Sequence, residues 1–275
     1  MRLFIFGRES SNSTERSPRQ RGLQGSWRIR VLLLALLLAA VCGAAAGVTA
    51  ARTPVYAASK TRVVVLDPGH GGWENGARYY GMKEKILNLK IAKYCRAELQ
   101  KYAGVKVVMT RTTDKPVDSS GTSADLLARC LIAKRNKADL FVCLHNNAYG
   151  AGESKRTNGV RVYYQNKSFS KSTGKKSKSL AKEILKKVAA CGLKNGGVHT
   201  KYSDDRSRRD NNGRRGDYYA VLYYNKTYRI PAVIVEHAFM SNAGDAAKLK
   251  KESFLKRLGQ ADAAAIARYL ELKKK

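Results

Sequence analysis

The chain has 275 residues, of which 44% are apolar and only 5 are prolines, a composition that suits one folded domain with a sizeable core. Lysine and arginine outnumber aspartate and glutamate by 53 to 21, giving a formal net charge of +32. This charge predicts attraction to polyanions without identifying one. No internal repeat with a period of about 20 to 50 residues is visible, which excludes a repeat architecture.

The first 61 residues divide into a basic tail (1–30), an uncharged apolar segment (31–51) and a linker (52–61). A basic segment followed by an apolar one is typical of an export signal, and about 20 apolar residues are also long enough for a membrane anchor. Cleavage and retention both remain open. In either case we predict an exported protein at the cell wall, secreted or anchored in the membrane through residues 31–51.

Short apolar runs alternate with amphipathic segments from Arg62 onward. The apolar runs predict strands at 62–67, 105–111, 139–146, 159–164 and 231–239. Helical periodicity predicts helices near 83–102, 123–137, 177–191 and 258–272. Near-continuous apolar strands separated by helices predict a single α/β domain, with a mostly parallel or mixed twisted sheet of about six strands and helices on both faces.

Polar segments between these elements predict loops. Residues 149–159 and 166–179 are rich in glycine, serine and lysine and predict solvated loops, and 201–219 is a long polar loop. Guanidinium groups match the geometry of carboxylates, so the arginines of the 201–219 loop are candidates to bind them. For any single one of these arginines we favour plain surface charge. They are Arg206, Arg208, Arg209, Arg214 and Arg215.

Three apolar runs are followed by polar residues with catalytic potential. His70 follows the first strand, His145 ends the run FVCLH, and Glu236 ends the run AVIVE. Ligands of parallel α/β sheets bind beyond the carboxyl ends of the strands. We therefore expect these three side chains to converge on one site.

Glu84 supplies a further candidate for this site. It opens the helix predicted after the first strand, on the face that also carries Leu87 and Ile91. A role in stabilising the helix N-terminus is the alternative. Two histidines and one carboxylate with an open fourth position are a recurrent catalytic zinc arrangement, which His70, Glu84 and His145 would complete while Glu236 stays unligated.

The motifs together resemble a known family, the zinc-dependent N-acetylmuramoyl-L-alanine amidases of type 3. The resemblance covers residues 62–275 and rests on LDPGHGG (66–72), KEKILNL (83–89), TRTTD (110–114), Arg129, ADLFVCLHNN (138–147), GVRVYY (159–164) and PAVIVEHAFMSN (231–242). It implies a catalytic domain in which His70, Glu84 and His145 bind one zinc ion and Glu236 is the catalytic residue.

The resemblance also implies a reaction and a partner, namely hydrolysis of the bond between N-acetylmuramic acid and L-alanine in peptidoglycan. Anionic wall polymers are a further expected partner for the basic surface, nucleic acid is not expected for an exported chain, and we expect a monomer. Two alternatives stay open: a zinc peptidase that cuts the stem peptide itself, and a basic wall-binding protein without catalysis.

The remaining histidines and cysteines have less definite roles. Cys143 shares a strand face with His145, and packing is the favoured interpretation over an approach to the metal. His237 should point away from Glu236 and is interpreted as structural or substrate-facing, whereas His199 is unassigned. The cysteines after the apolar segment lack metal or redox spacing and predict buried free thiols: Cys95, Cys130, Cys143 and Cys191.

Overall fold

The computed structural model describes residues 60–150, 154 and 156–275. The basic tail, the apolar segment 31–51 and most of the linker lie outside this range, so their predicted roles stay predictions. The described residues belong to one compact unit. No helix in this part of the chain is long and apolar enough to cross a bilayer.

Six strands form the central sheet, and two short strands form a separate hairpin. In chain order the strands are β1 (Arg62–Pro68), β2 (Arg78–Tyr79), β3 (Met82–Lys83), β4 (Val105–Met109), β5 (Leu140–Asn147), β6 (Val160–Tyr164), β7 (Asn195–His199) and β8 (Ala232–Phe239). The sheet order is β4-β1-β5-β8-β6-β7, and β2 pairs with β3. All neighbouring strands of the sheet are parallel except β6 and β8, which confirms the predicted mixed sheet.

Helices cover both faces of this sheet, as predicted. They are α1 (Glu84–Leu99), α2 (Thr122–Arg135), α3 (Lys171–Ala189), α4 (Ala220–Thr227), α5 (Ala243–Leu249) and α6 (Glu252–Tyr269). Val64, Val142 and Val235 point to one face, where they pack with α1, α3 and α6. Val65 and Phe141 point to the other face, which α2 and α4 cover. Strands buried on both faces account for their near-continuous apolar sequence.

Helix α3 begins six residues before the predicted start at 177, so the prediction of a loop over 166–179 is wrong from Lys171 onward. Ser170 caps the helix, because its hydroxyl accepts a hydrogen bond from the Thr173 amide at 3.2 Å. The buried residues of the first two turns are Thr173, Gly174 and Ser177. Because none of them is a large apolar residue, the hydrophobic pattern does not reveal these turns.

One strand of the six-stranded sheet was not predicted. This strand is β7, which ends at His199. Its sequence NGGVH lacks the apolar run that marks the other strands. A Cβ atom built on Gly196 would lie 2.7 Å from the Val160 carbonyl oxygen, so only glycine fits against β6 there. The exposed His199 ring packs 5.7 Å from the ring of Tyr163 and makes its contacts away from the predicted metal ligands.

Candidate metal and catalytic site

His70, Glu84 and His145 lie together at the carboxyl edge of the sheet. One ligand atom from each falls within 4.8 Å of the others, and no other such group of three occurs among the described residues. The Glu84 carboxylate bridges the two rings, with Oε2 3.1 Å from His70 Nε2 and Oε1 2.9 Å from His145 Nδ1. The structure therefore brings together the three residues that the sequence predicted as ligands.

Glu84 is held at its position by groups from two other segments and from its own helix. Its carboxylate accepts hydrogen bonds from the Ala77 amide at 2.9 Å, the Asn146 amide at 3.2 Å and the Asn88 side chain at 3.2 Å. Burial raises the pKa of Glu84, but its bonds to His145 and His70 outweigh burial and hold the pKa well below the usual range. The carboxylate is thus charged and faces the histidines, and the helix N-cap receives no side-chain bond.

The turn after β1 presents His70 through an unusual backbone conformation. His70 has a φ angle of +62°, and Gly71 and Gly72 follow with φ angles of +136° and +59°. Both glycines adopt conformations that residues with a side chain rarely adopt. The conformation of His70 itself was not predicted, since a non-glycine residue adopts it only infrequently.

Gly69 serves close packing instead of conformational freedom. A Cβ atom built on Gly69 would lie 2.0 Å from Nε2 of His145. The two histidines can therefore approach to a ring-centroid distance of 4.8 Å only because residue 69 has no side chain.

We expect Gly69→Ala to displace the His145 ring and to lower both metal affinity and turnover by at least about tenfold, which corresponds to 1.4 kcal/mol at the lower end of overpacking costs. Zinc titration and turnover of the purified variant measure the effect. Gly150→Ala is the matched control, because nothing lies within 4 Å of a Cβ atom built there. Unchanged metal affinity in Gly69→Ala would contradict the proposed packing.

Two buried arginines hold the backbone of the same turn. Arg129 donates from Nη1 to the Pro68 carbonyl at 3.0 Å and from Nη2 to the His70 carbonyl at 2.8 Å. Arg111 donates from Nε to the Pro68 carbonyl at 2.8 Å and from Nη2 to the Gly69 carbonyl at 2.9 Å. The backbone oxygens of residues 68–70 are therefore fixed by guanidinium groups that reach them from the segment after β4 and from α2.

Asp67 neutralises Arg129 below the turn. The Asp67 carboxylate accepts from Arg129 Nη1 at 2.8 Å, from the Thr110 hydroxyl at 2.6 Å and from the Cys143 thiol at 3.0 Å. Burial raises the pKa of Asp67, but the Arg129 charge and these bonds outweigh it and keep the pKa below the usual value. Cys143 is buried, as its favoured packing role predicted, and its bond to the Asp67 carboxylate was not predicted.

His237 lies on the face of β8 opposite to Glu236 and contacts the backbone of His145. Its Nδ1 is 2.8 Å from the His145 carbonyl oxygen, and its Nε2 is 2.8 Å from Oδ2 of Asp262 in α6. Both side chains are fully buried. This confirms the structural interpretation of His237.

All four described cysteines are free, and Cys191 is only partly buried.

Glu236 lies beside His145 in the sheet. The two residues are register partners in the parallel pair β5–β8, so their side chains leave the same face of the sheet. A cavity of about 210 Å³ opens on this face, and its lining includes His70, His145, Trp73 and Tyr219. The strands that carry these residues are therefore neighbours in the sheet, with Glu236 on the strand next to the ligand group. The convergence of the Glu236 side chain on the same site stays a prediction.

The 201–219 loop uses most of its arginines internally. Arg214 Nε donates to Asp210 at 2.8 Å, Arg215 Nε to the Ser203 carbonyl at 3.0 Å, and Arg208 Nη1 to the Tyr218 carbonyl at 2.7 Å. The buried ion pair of Asp217 with Lys226 of α4 ties the loop to the domain. These bonds favour a structural role for the three arginines over capture of substrate carboxylates.

Asp210 should titrate in an unusually acidic range. Burial raises its pKa, but bonds from the amides of Arg214, Phe169 and Asn212 and from the Arg214 side chain lower it to about 2 from a usual 3.8. Because the folded pKa is the lower one, the bonds stabilise the loop above pH 3.8 and are lost as the pH falls through about 2. Carbon NMR of the carboxyl group, assigned with Asp210→Asn, measures this; a midpoint at or above 3.8 would contradict it.

Comparison with known proteins identifies the family. The Amidase_3 family model, described as N-acetylmuramoyl-L-alanine amidase, matches residues 64–268. The chain belongs to this amidase family. The predicted family and enzyme class are thereby confirmed, and the α/β architecture is that of solved amidase domains.

This amidase is 35% identical to the endolysin of Bacillus phage SPP1 over 216 residues, which cover 78% of the chain and 68% of the endolysin. It is 33% identical to the N-acetylmuramoyl-L-alanine amidase LytC of Bacillus subtilis (strain 168) over 199 residues, which are 72% of the chain but 33% of LytC. The catalytic domain of CwlV, an N-acetylmuramoyl-L-alanine amidase from Bacillus (Paenibacillus) polymyxa, aligns with a TM-score of 0.60 and 30% identity over 77% of this chain and 99% of that domain.

Proposed function

We propose that this amidase uses zinc to hydrolyse the amide bond between N-acetylmuramic acid and L-alanine of the stem peptide in peptidoglycan. The observation that carries the proposal is the convergence of ligand atoms from His70, Glu84 and His145 within 4.8 Å. Family membership supplies the reaction class, and the names of its relatives support the substrate.

The donor set fits a catalytic zinc ion. Two imidazoles and one carboxylate are a common protein ligand set for catalytic zinc, which keeps one coordination position open for water or substrate. Glu84 keeps its negative charge, and the two rings have side-chain exposures of 23% and 21% that leave an approach from solvent. His70 also turns its other nitrogen, Nδ1, towards Glu74 Oε1 at 3.8 Å, the kind of outer carboxylate that orients ligand histidines.

Zinc and Glu236 would have different roles in the hydrolysis of the amide bond. When bound, zinc supplies a Lewis acid that polarises an amide carbonyl and makes water a stronger acid. Glu236 accepts the proton of the water that attacks the carbonyl carbon, and then donates it to the amide nitrogen as the C–N bond breaks. Products are the free lactyl carboxylate of muramic acid and a stem peptide that begins with the amino group of L-alanine.

The site of action follows from the substrate and the N-terminal sequence. We place the enzyme outside the cytoplasmic membrane, either released after cleavage of residues 31–51 or anchored through them. The basic composition of the chain supports contact with the anionic cell envelope.

Mass spectrometry of digested peptidoglycan tests the function. We expect free stem peptides that begin with L-alanine, their loss after treatment with a chelator, and their return on addition of zinc. Products that retain L-alanine on muramic acid would instead identify a stem-peptide peptidase. Intact peptidoglycan, with the zinc-loaded protein bound to it, would overturn the catalytic proposal.

A further inference from the structure

Helix α3 carries a straight row of exposed lysines on its solvent side. The row consists of Lys171, Lys175, Lys178, Lys182 and Lys186, which we call the lysine row. Their spacing of three or four residues places them on one face of the helix. At a rise of 1.5 Å per residue, the row is about 22 Å long.

The lysine row opposes the stability of its own helix. Neighbouring lysines three or four residues apart repel each other, and α3 has no acidic residue in its first turn to match the positive helix terminus. Glu183 pairs with Arg268 of α6, and no ion pair within the described range includes a member of the row. Local preferences that conflict with the fold are expected at functional sites.

The chemistry of this face distinguishes between anionic partners. The exposed residues of α3 around the row are lysines and serines, while Leu180, Ile184 and Val188 are buried in the core. A helix that lies on a membrane needs an apolar face to insert between the lipids. The outer face of α3 offers ammonium and hydroxyl groups, which suit a hydrated anionic polymer.

We infer that the lysine row binds a linear phosphodiester polymer of the cell wall. Lysine ammonium groups act as flexible point charges towards phosphate oxygens, and a regular row of them matches a chain with one negative charge per repeat. Binding releases condensed counterions, so the affinity should fall steeply as the salt concentration rises.

The topology relates this surface to the catalytic edge of the sheet. Strand β6 starts beside Glu236 and runs antiparallel to β8, ending at Tyr164 opposite Val233. Helix α3 then leads back to β7, whose first residue pairs with Val160. The lysine row therefore runs along the side of the domain, from the end of the sheet at Tyr164 towards the end that carries Glu236. A bound polymer would hold the end with Glu236 near the wall.

The test compares two full-length variants of equal net charge. In the row variant all five lysines of the row are replaced by glutamine. In the control variant five exposed lysines elsewhere are replaced by glutamine: Lys93, Lys106, Lys137, Lys250 and Lys251. Binding is measured on isolated walls, on the same walls stripped of phosphodiester polymers by hydrofluoric acid, and with soluble polyphosphate as competitor.

We expect the row variant to bind untreated walls at least tenfold more weakly than the unsubstituted chain, and the control variant to change less than threefold. Acid stripping and polyphosphate should abolish the difference between the variants. Equal weakening of both variants, undiminished binding to stripped walls, or no wall binding at all would overturn the inference. Loss of binding to anionic phospholipid vesicles in the row variant, with wall binding intact, would assign the row to lipid instead.

Catalysis is a separate readout in the same experiment. Turnover of a small soluble muropeptide should be equal in both variants, which also shows that they are folded. Wall binding by the lysine row does not require the zinc site, so failure of this inference and failure of the proposed amidase reaction give different results.

Discussion

Replacing Glu236 by glutamine is expected to lower kcat by about 10²–10⁴-fold, the usual contribution of general acid–base catalysis, while zinc content and fold stay unchanged. Glutamine has nearly the shape of glutamate but cannot accept the proton of water. Glu236 lies on β8 beside His145 and outside the group of three ligand atoms, so its loss should leave zinc binding intact. Steady-state kinetics on a soluble muropeptide and metal analysis of the same sample measure both effects.

Glu252→Gln is the matched control for this substitution. Glu252 is also a glutamate, but its side chain is 52% exposed and it pairs with Lys90 at the surface of the domain. Its replacement should leave kcat within about twofold, since exposed ion pairs contribute little. A Glu236→Gln variant with full turnover would remove Glu236 from the mechanism, and one that lost zinc would make it a ligand.

Replacing Arg129 by methionine is expected to lower the free energy of unfolding by about 3–5 kcal/mol, the usual result of removing one partner of a buried ion pair. Both Arg129 and Asp67 have side chains that are at most 2% exposed. Methionine fills part of the volume but leaves the Asp67 charge buried without its cation and the His70 carbonyl without its donor. The Pro68 carbonyl keeps only its bond from Arg111. Urea unfolding of the purified protein measures the loss.

Two further variants distinguish this network from general effects of charge. Arg268→Met removes an arginine whose side chain is 64% exposed and should cost at most about 1 kcal/mol. Adding Asp67→Asn to Arg129→Met should restore part of the lost stability, because the unpaired buried charge is removed. A cost below about 1 kcal/mol for Arg129→Met alone would show that the pair does not stabilise the turn.

Strong local patterns in the sequence account for the placement of the candidate ligands. Apolar runs placed His70 and His145 at the ends of neighbouring strands, and helical periodicity placed Glu84 on the buried face of α1. These are patterns of single segments joined by one rule, that parallel strands share a carboxyl edge. The register of β5 with β8 then sets Glu236 beside His145.

Features that depend on pairing between distant segments were not predictable in the same way. Arg129 lies 62 residues from Asp67, and no local pattern distinguishes a buried arginine from an exposed one on α2. The bond between His237 and Asp262 likewise requires knowledge of how α6 packs. The start of α3 was missed because small polar residues form its buried face, and β7 because two glycines replace an apolar pattern.

The backbone of residue 70 limits which substitutions could change the metal preference of the proposed site. Any replacement must provide a ligand atom and also tolerate the left-handed φ angle of +62°. Among side chains that bind metals, aspartate and histidine adopt this conformation far more readily than most residues. His70→Asp is therefore the substitution with which to seek an altered metal preference, whereas His70→Cys would combine a softer ligand with a strained turn.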